Sequence, residues 1–246
     1  MHYKKDGLAR HRLFIAYLQY LVWQKRGDAI IVVIGPRGSG KSTTVYDIAK
    51  SVDRDFSLQR NIYYNIDAYL NFISTTPPRG SVPVFDDLAT ATDTTKWYDD
   101  FNRALIRVGQ FGGSFGYITF FVAPNLSGIL SGIRYQADFI IMMDSEREWA
   151  GWYNIRWGKI SPNLSHPSIW FPYFARQFRI GDASRTVRFK ECYSPQMSDA
   201  EYRTYEEFKE SFTRPAVLSI ARDAKKKKLR KEGIRTYDQS KDTAYY

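Results

Sequence analysis

Apolar residues recur along this chain at two spacings, and the spacings alternate. Over residues 8–23 they fall at helical intervals, Leu13, Phe14, Tyr17, Leu18, Leu21 and Val22, with Arg10, His11, Arg12 and Gln19 on the rest of the wheel. That pattern predicts an amphipathic helix. A continuous run comes next, Ala29, Ile30, Ile31, Val32, Val33 and Ile34. It is short, β-branched and bounded by glycine, as a strand covered on both faces is. Further strands are predicted at residues 61–66, 81–85, 117–123 and 138–143, and helices at 43–50, 68–74 and 97–108. Residues 75–80 and 109–116 are loops by their proline and glycine content. Strands separated in this way by helices predict an α/β fold with a mostly parallel central sheet flanked by helices. A ligand then belongs at the sheet's C-terminal edge.

The loop after the first strand carries the chemistry. Gly35-Pro36-Arg37-Gly38-Ser39-Gly40-Lys41-Ser42-Thr43 has the spacing of a phosphate-binding loop, set between a strand and a helix. Glycines let successive backbone N–H groups turn inward around phosphates, and the helix N-terminus adds partial positive charge. Lys41 reaches the β and γ phosphates of ATP, and the Ser42 hydroxyl can ligate Mg²⁺. The strand at 81–85 ends in Asp86-Asp87, which looks like a Walker B element. Asp86 is the candidate for holding the metal and Asp87 for the general base. The strand at 117–123 ends at Pro124-Asn125, where a polar side chain lies beside the γ-phosphate, so Asn125 is either a phosphate sensor or the cap of the following turn. Arg134 and Arg107 are candidates for an arginine finger offered to a neighbouring subunit, with Arg134 favoured.

Composition changes the picture in two places. A net charge of +10, with a pI near 9.5, points to a polyanionic partner, nucleic acid or an anionic surface. The single cysteine, Cys192, excludes an internal disulfide or a cysteine-based zinc site and fits a reducing compartment. The first residues lack the apolar core of a signal peptide, and no apolar stretch is long enough to span a bilayer. A cytoplasmic location is expected, host cytoplasm if the chain is viral.

The order of phosphate loop, Walker B strand, sensor strand, residues 127–134 and a closing strand resembles the additional-strand ATPases over residues 28–145, which implies a RecA-like core. Within them, Arg107-Val108-Gly109-Gln110 through Val122-Ala123-Pro124-Asn125, with Ile133-Arg134 downstream, is similar to the HerA/FtsK group and its zonular-occludens-toxin-like relatives. That resemblance implies a DNA-pumping or virion-assembly ATPase working as a ring, such as a hexamer, although Gln commonly stands at the place of Asn125. Asp86-Asp87, Phe101-Asn102-Arg103-Ala104-Leu105 and Asn125-Leu126-Ser127 look instead like the AAA+ DnaA/DnaC group, which implies a replication initiator or helicase loader. A third reading is a nucleotide-dependent scaffold for virion or membrane assembly, of viral or plasmid origin.

The C-terminal third is a β-rich extension over 146–193, in which Trp152, Tyr153, Trp157, Trp170, Phe171, Tyr173, Phe174 and Phe178 interleave with Arg156, Lys159, Arg176, Arg179, Arg185 and Arg188. Such a segment fits the helical lid of an AAA+ protein poorly. Its aromatics read as core, and stacking on nucleic-acid bases is the other reading. A helix over 194–215 opens with the capping pattern Ser198-Asp199-Ala200-Glu201. Beyond Pro215, residues 216–246 read as a basic helix or helical tail centred on Lys225-Lys226-Lys227-Lys228, for which DNA contact and plain solvation stand level.

Overall fold

The computed structural model describes residues 2–86, 115–129, 131–144, 150–159 and 171–231. It divides the chain into two compact units, residues 1–200 and 201–246. In the first, helix α1 (His2–Trp23) precedes strand β1 (Ala29–Ile34), the phosphate loop and helix α2 (Lys41–Val52). Helix α3 (Leu58–Asn61), strand β2 (Ile62–Tyr63), helix α4 (Ile66–Ser74) and strand β3 (Val84–Phe85) come after it. Then come β4 (Ile118–Ala123), the short helix Ser131–Gln136, β5 (Phe139–Met143), β6 (Trp152–Trp157), β7 (Ala175–Ile180), β8 (Ala183–Arg188) and β9 (Cys192–Tyr193).

Seven strands form one sheet in the order β2-β3-β4-β1-β5-β6-β9. The first five are parallel, and β6 and β9 extend the sheet antiparallel. The strand bearing Asp86 is therefore separated from the phosphate-loop strand by β4, the additional strand. Register aligns the tips: Val32 and Phe85 both stand opposite Phe121, and Ile34 stands opposite Ala123. Gly35, Asp86 and Pro124 thus leave the sheet at the same edge.

Both faces are covered, which explains why these strands read as unbroken apolar runs. On one face Tyr69 and Phe72 of α4 pack with Tyr63, Phe85 and Phe121. On the other, α1 buries His11, Phe14, Leu18 and Val22, with Phe14 and Tyr17 edge-on to Phe139. Each apolar side chain so buried contributes about 1.5–3 kcal/mol. Gly7 also faces inward, where a Cβ would meet the Trp152 ring at 2.6 Å. The helix begins earlier than its apolar pattern because this glycine lets its first turns lie close against β6.

Beyond β5 the aromatics Trp152, Tyr153, Phe171, Phe174 and Phe189 are 0–4% exposed, so they are core. Strands β7 and β8 form a separate two-stranded ribbon. One helix spans Asp199–Lys231 and runs through Pro215, joining the expected helix to the basic segment. Pro215 cannot donate to the Ser211 carbonyl, and its ring crowds that carbonyl.

Candidate functional site

The site grows from the junction of β1 and α2. Gly38 and Gly40 have φ of 81° and 86°, in the left-handed region that glycine adopts without strain. At Gly40 the requirement is also steric, since a Cβ would stand 2.9 Å from the backbone nitrogen of Gly151. Helix α2 starts at Lys41 with no side chain capping it and no acidic residue in its first turn. Its leading N–H groups and positive dipole end are therefore directed at the loop, as an anion requires. The loop is pinned elsewhere: Ser39 N–H and Oγ–H donate to the Pro36 carbonyl, and Gly35 N–H donates to the Pro124 carbonyl at the tip of β4.

Lys41 curls back over this arc, its ammonium donating to the carbonyls of Gly35 and Pro36 at 2.7 Å each. Ser42 donates its hydroxyl to the Asp86 carboxylate, 3.1 and 3.3 Å from the two oxygens. Asp86 is 3% exposed and comes directly after β3, its N–H donating to the Tyr63 carbonyl. A hydroxyl and a carboxylate meeting here are hard oxygen donors of the kind Mg²⁺ takes beside a triphosphate, where one or two protein carboxylates suffice. The residues present thus fit the expected metal.

Pro36 and Arg37 lie in the loop, and Thr43 donates its hydroxyl to the Gly40 carbonyl and to Gln196 Oε1. Asn125 follows Pro124, whose carbonyl accepts from Gly35 N–H. Its Oδ1 accepts from Ser127 Oγ at 2.6 Å and from Gly128 N–H at 3.0 Å, capping the turn Leu126–Gly128. Among the described residues its amide nitrogen makes no hydrogen bond. Arg134 donates to the Leu126 carbonyl of its own chain at 3.3 Å. Asp87 and Arg107 lie outside the described residues.

Sequence reasoning missed the support behind the loop. Gly151 N–H donates to the Ser39 carbonyl, and Gln196, held by Thr43, donates to the Ala150 carbonyl. It also missed a buried relay. His11 of α1 donates from Nε2 to Asp47 of α2 at 2.6 Å and meets the Tyr153 hydroxyl of β6 through Nδ1 at 2.7 Å. Burial pushes Tyr153 well above the ordinary phenol value, so the hydroxyl keeps its proton. No local signal marks either set, because the partners are up to 153 residues apart.

No family model and no curated protein matches the chain. Among solved structures it is similar to EssC (ATPases 2 and 3) from Geobacillus thermodenitrificans, with 15% identity over 78% of this chain and a TM-score of 0.38. It spans 45% of that chain, and 46% of a second structure, the cytoplasmic domain of EssC. The N-terminal domain of zonular occludens toxin from Neisseria meningitidis is 11% identical over 68% of this chain and all of its own, with a TM-score of 0.39. The genome packaging NTPase B204 from Sulfolobus turreted icosahedral virus 2, in complex with AMP, is 16% identical over 49% of this chain and 77% of its own, with a TM-score of 0.27. On its own strand order the chain has a RecA-like α/β fold, with a glycine-rich loop of phosphate-binding spacing between β1 and α2.

Proposed function

We propose that the protein is an Mg²⁺-dependent ATPase that couples hydrolysis to moving or packaging DNA, as a ring of identical subunits. The observation that carries the ATPase reading is the meeting of Ser42 and Asp86 beneath the phosphate loop, 44 residues apart in sequence and separated in the sheet by β4. In this reading the N–H groups of the loop and of the start of α2 cradle the phosphates. Lys41 turns its ammonium to the β and γ oxygens and offsets the charge that develops there. Mg²⁺, when bound, neutralises phosphate charge, and Ser42 and Asp86 are the residues that would hold it. Asp87 orients the attacking water, the Asn125 amide contacts the γ-phosphate, and Arg134 is the residue offered to the neighbouring subunit. An open path for water in line with the leaving oxygen is all the remaining chemistry requires.

The net charge of +10 suits a polyanion, which supports a DNA role of either kind. One feature favours the motor over an initiator or loader. After β5, the described residues form a run of strands, β6 to β9, where an AAA+ protein carries a helical lid. The test is ATP hydrolysis with and without double-stranded DNA, with Lys41→Ala as the blank. Stimulation that vanishes in the variant supports the proposal. Lys41-dependent hydrolysis indifferent to DNA overturns the coupling and leaves the ATPase standing.

A further inference from the structure

The arginines of the C-terminal third separate from its aromatics, and they gather on one ribbon. Strands β7 and β8 pair over six residues each and turn through Gly181-Asp182, with Gly181 at φ 60° as a tight hairpin of primed type requires. Residues directly opposite share a face. One face presents Arg176, Phe178, Arg185 and Val187. Its apolar members look to the body, the Phe178 ring 6.2 Å from that of Phe189 and Phe178 and Val187 half-buried, while Arg176, with its guanidinium 5.5 Å from the Tyr17 ring, and Arg185 are exposed. The other face carries Gln177, Arg179, Ser184, Thr186 and Arg188, all exposed, with half-buried Ala175 as its only apolar member. The ribbon's only carboxylate is Asp182, at the turn. Among the described residues, no ion pair holds Arg179 or Arg188.

We infer that this outer face is a grip for double-stranded DNA, an inference that rests on the DNA half of the proposed function. Arg179 and Arg188 take backbone phosphates, while Gln177, Ser184 and Thr186 between them face into the groove. The dimensions agree. A two-stranded ribbon is admitted by the major groove, about 12 Å wide. Arg188 stands opposite Ala175, four residues from Arg179, so the two guanidinium stems rise about 13 Å apart at about 3.3 Å per residue. An anionic membrane is the poorer occupant, since membrane-surface binding needs apolar side chains beside the charges and this face has none beyond one alanine. Arginine's fork also suits phosphate better than a point charge would.

The test measures binding of a fluorescent 30-base-pair duplex of arbitrary sequence against salt, using the full chain. Three proteins are compared: wild type, Arg179→Ala/Arg188→Ala, and a tail variant with Lys225, Lys226, Lys227 and Lys228 changed to Ala. ATP binding and circular dichroism serve as checks that each is folded, and vesicles rich in phosphatidylserine serve as the competing surface. The expected result is at least about tenfold weaker duplex binding by the ribbon variant. Its log–log salt slope should fall by about 2, the number of phosphate contacts removed. Duplex binding unchanged in the ribbon variant and lost in the tail variant overturns the grip while the DNA reading stands. A wild-type chain that binds vesicles and no duplex overturns both.

Discussion

At the scale of single residues, the chemistry turns on Ser42 and Asp86. Their meeting depends on Asp86 being a buried carboxylate at a strand tip, so changing either atom type should act on the metal before it acts on the fold. Asp86→Asn and Ser42→Ala are expected to lower kcat about 10²–10³-fold, measured as phosphate release over a Mg²⁺ titration. They should leave binding of metal-free nucleotide within a few-fold of wild type. Equal loss of both would mean that the pair supports the loop and does not hold metal. Cys192 tests the core beside the site. Burial, only partly opposed by the nearby Arg10, pushes its thiol from 9.0 up to about 12. The folded chain therefore keeps this proton longer than the unfolded chain does. The stabilisation is whole below pH 9 and is lost as pH climbs toward about 12. Alkylation by iodoacetamide at about pH 8.5, near the ordinary thiol value, should be negligible in the native protein and rapid once it is unfolded in urea.

At the scale of elements, what positions the site is the close approach of distant backbone to the phosphate loop. Gly40 sits at φ 86°, with the Gly151 nitrogen 2.9 Å from where a Cβ would be. Gly40→Ala should therefore cost about 1–2 kcal/mol for the left-handed backbone alone, seen as a fall of a few degrees in Tm. It should also weaken ATP binding measured by calorimetry, because the loop must shift. A Tm and affinity equal to wild type would show that the loop is not braced from behind. This brace also marks where the sequence stops being legible. The phosphate loop, β1, β4 and β5 are readable because their signals are local: a glycine spacing, and apolar runs bounded by breakers. The insertion of β4 between β1 and β3 is expected from resemblance alone, since short apolar strands carry nothing about their neighbours. The contacts of Gly151, Gln196 and the His11–Asp47–Tyr153 relay are not readable at all. Each joins residues that only the fold brings together. Asn125 stands between sensor and cap in the sequence, and its Oδ1 is found capping while its position beside the loop keeps the other role open to test.

At the scale of the whole molecule, a covered α/β sheet brings the glycine-rich loop, Asp86 and Pro124 to one edge. The described part of the second unit is one helix rich in lysine and arginine, and no helix among the described residues is long and apolar enough to cross a membrane. Many of the aromatic residues, which make up 16% of the chain, are buried in the core. Everything proposed about DNA depends on the loop being a working nucleotide site. The most direct measurement is Mg²⁺-dependent ATP hydrolysis by the wild-type chain and by Lys41→Ala, side by side and equally folded by circular dichroism. Turnover by the wild type is expected, with a rate about 10²–10³-fold lower in the variant, since Lys41 supplies the charge that meets the transferring phosphate. Equal rates in the two proteins would contradict the assignment of this loop as a catalytic nucleotide site.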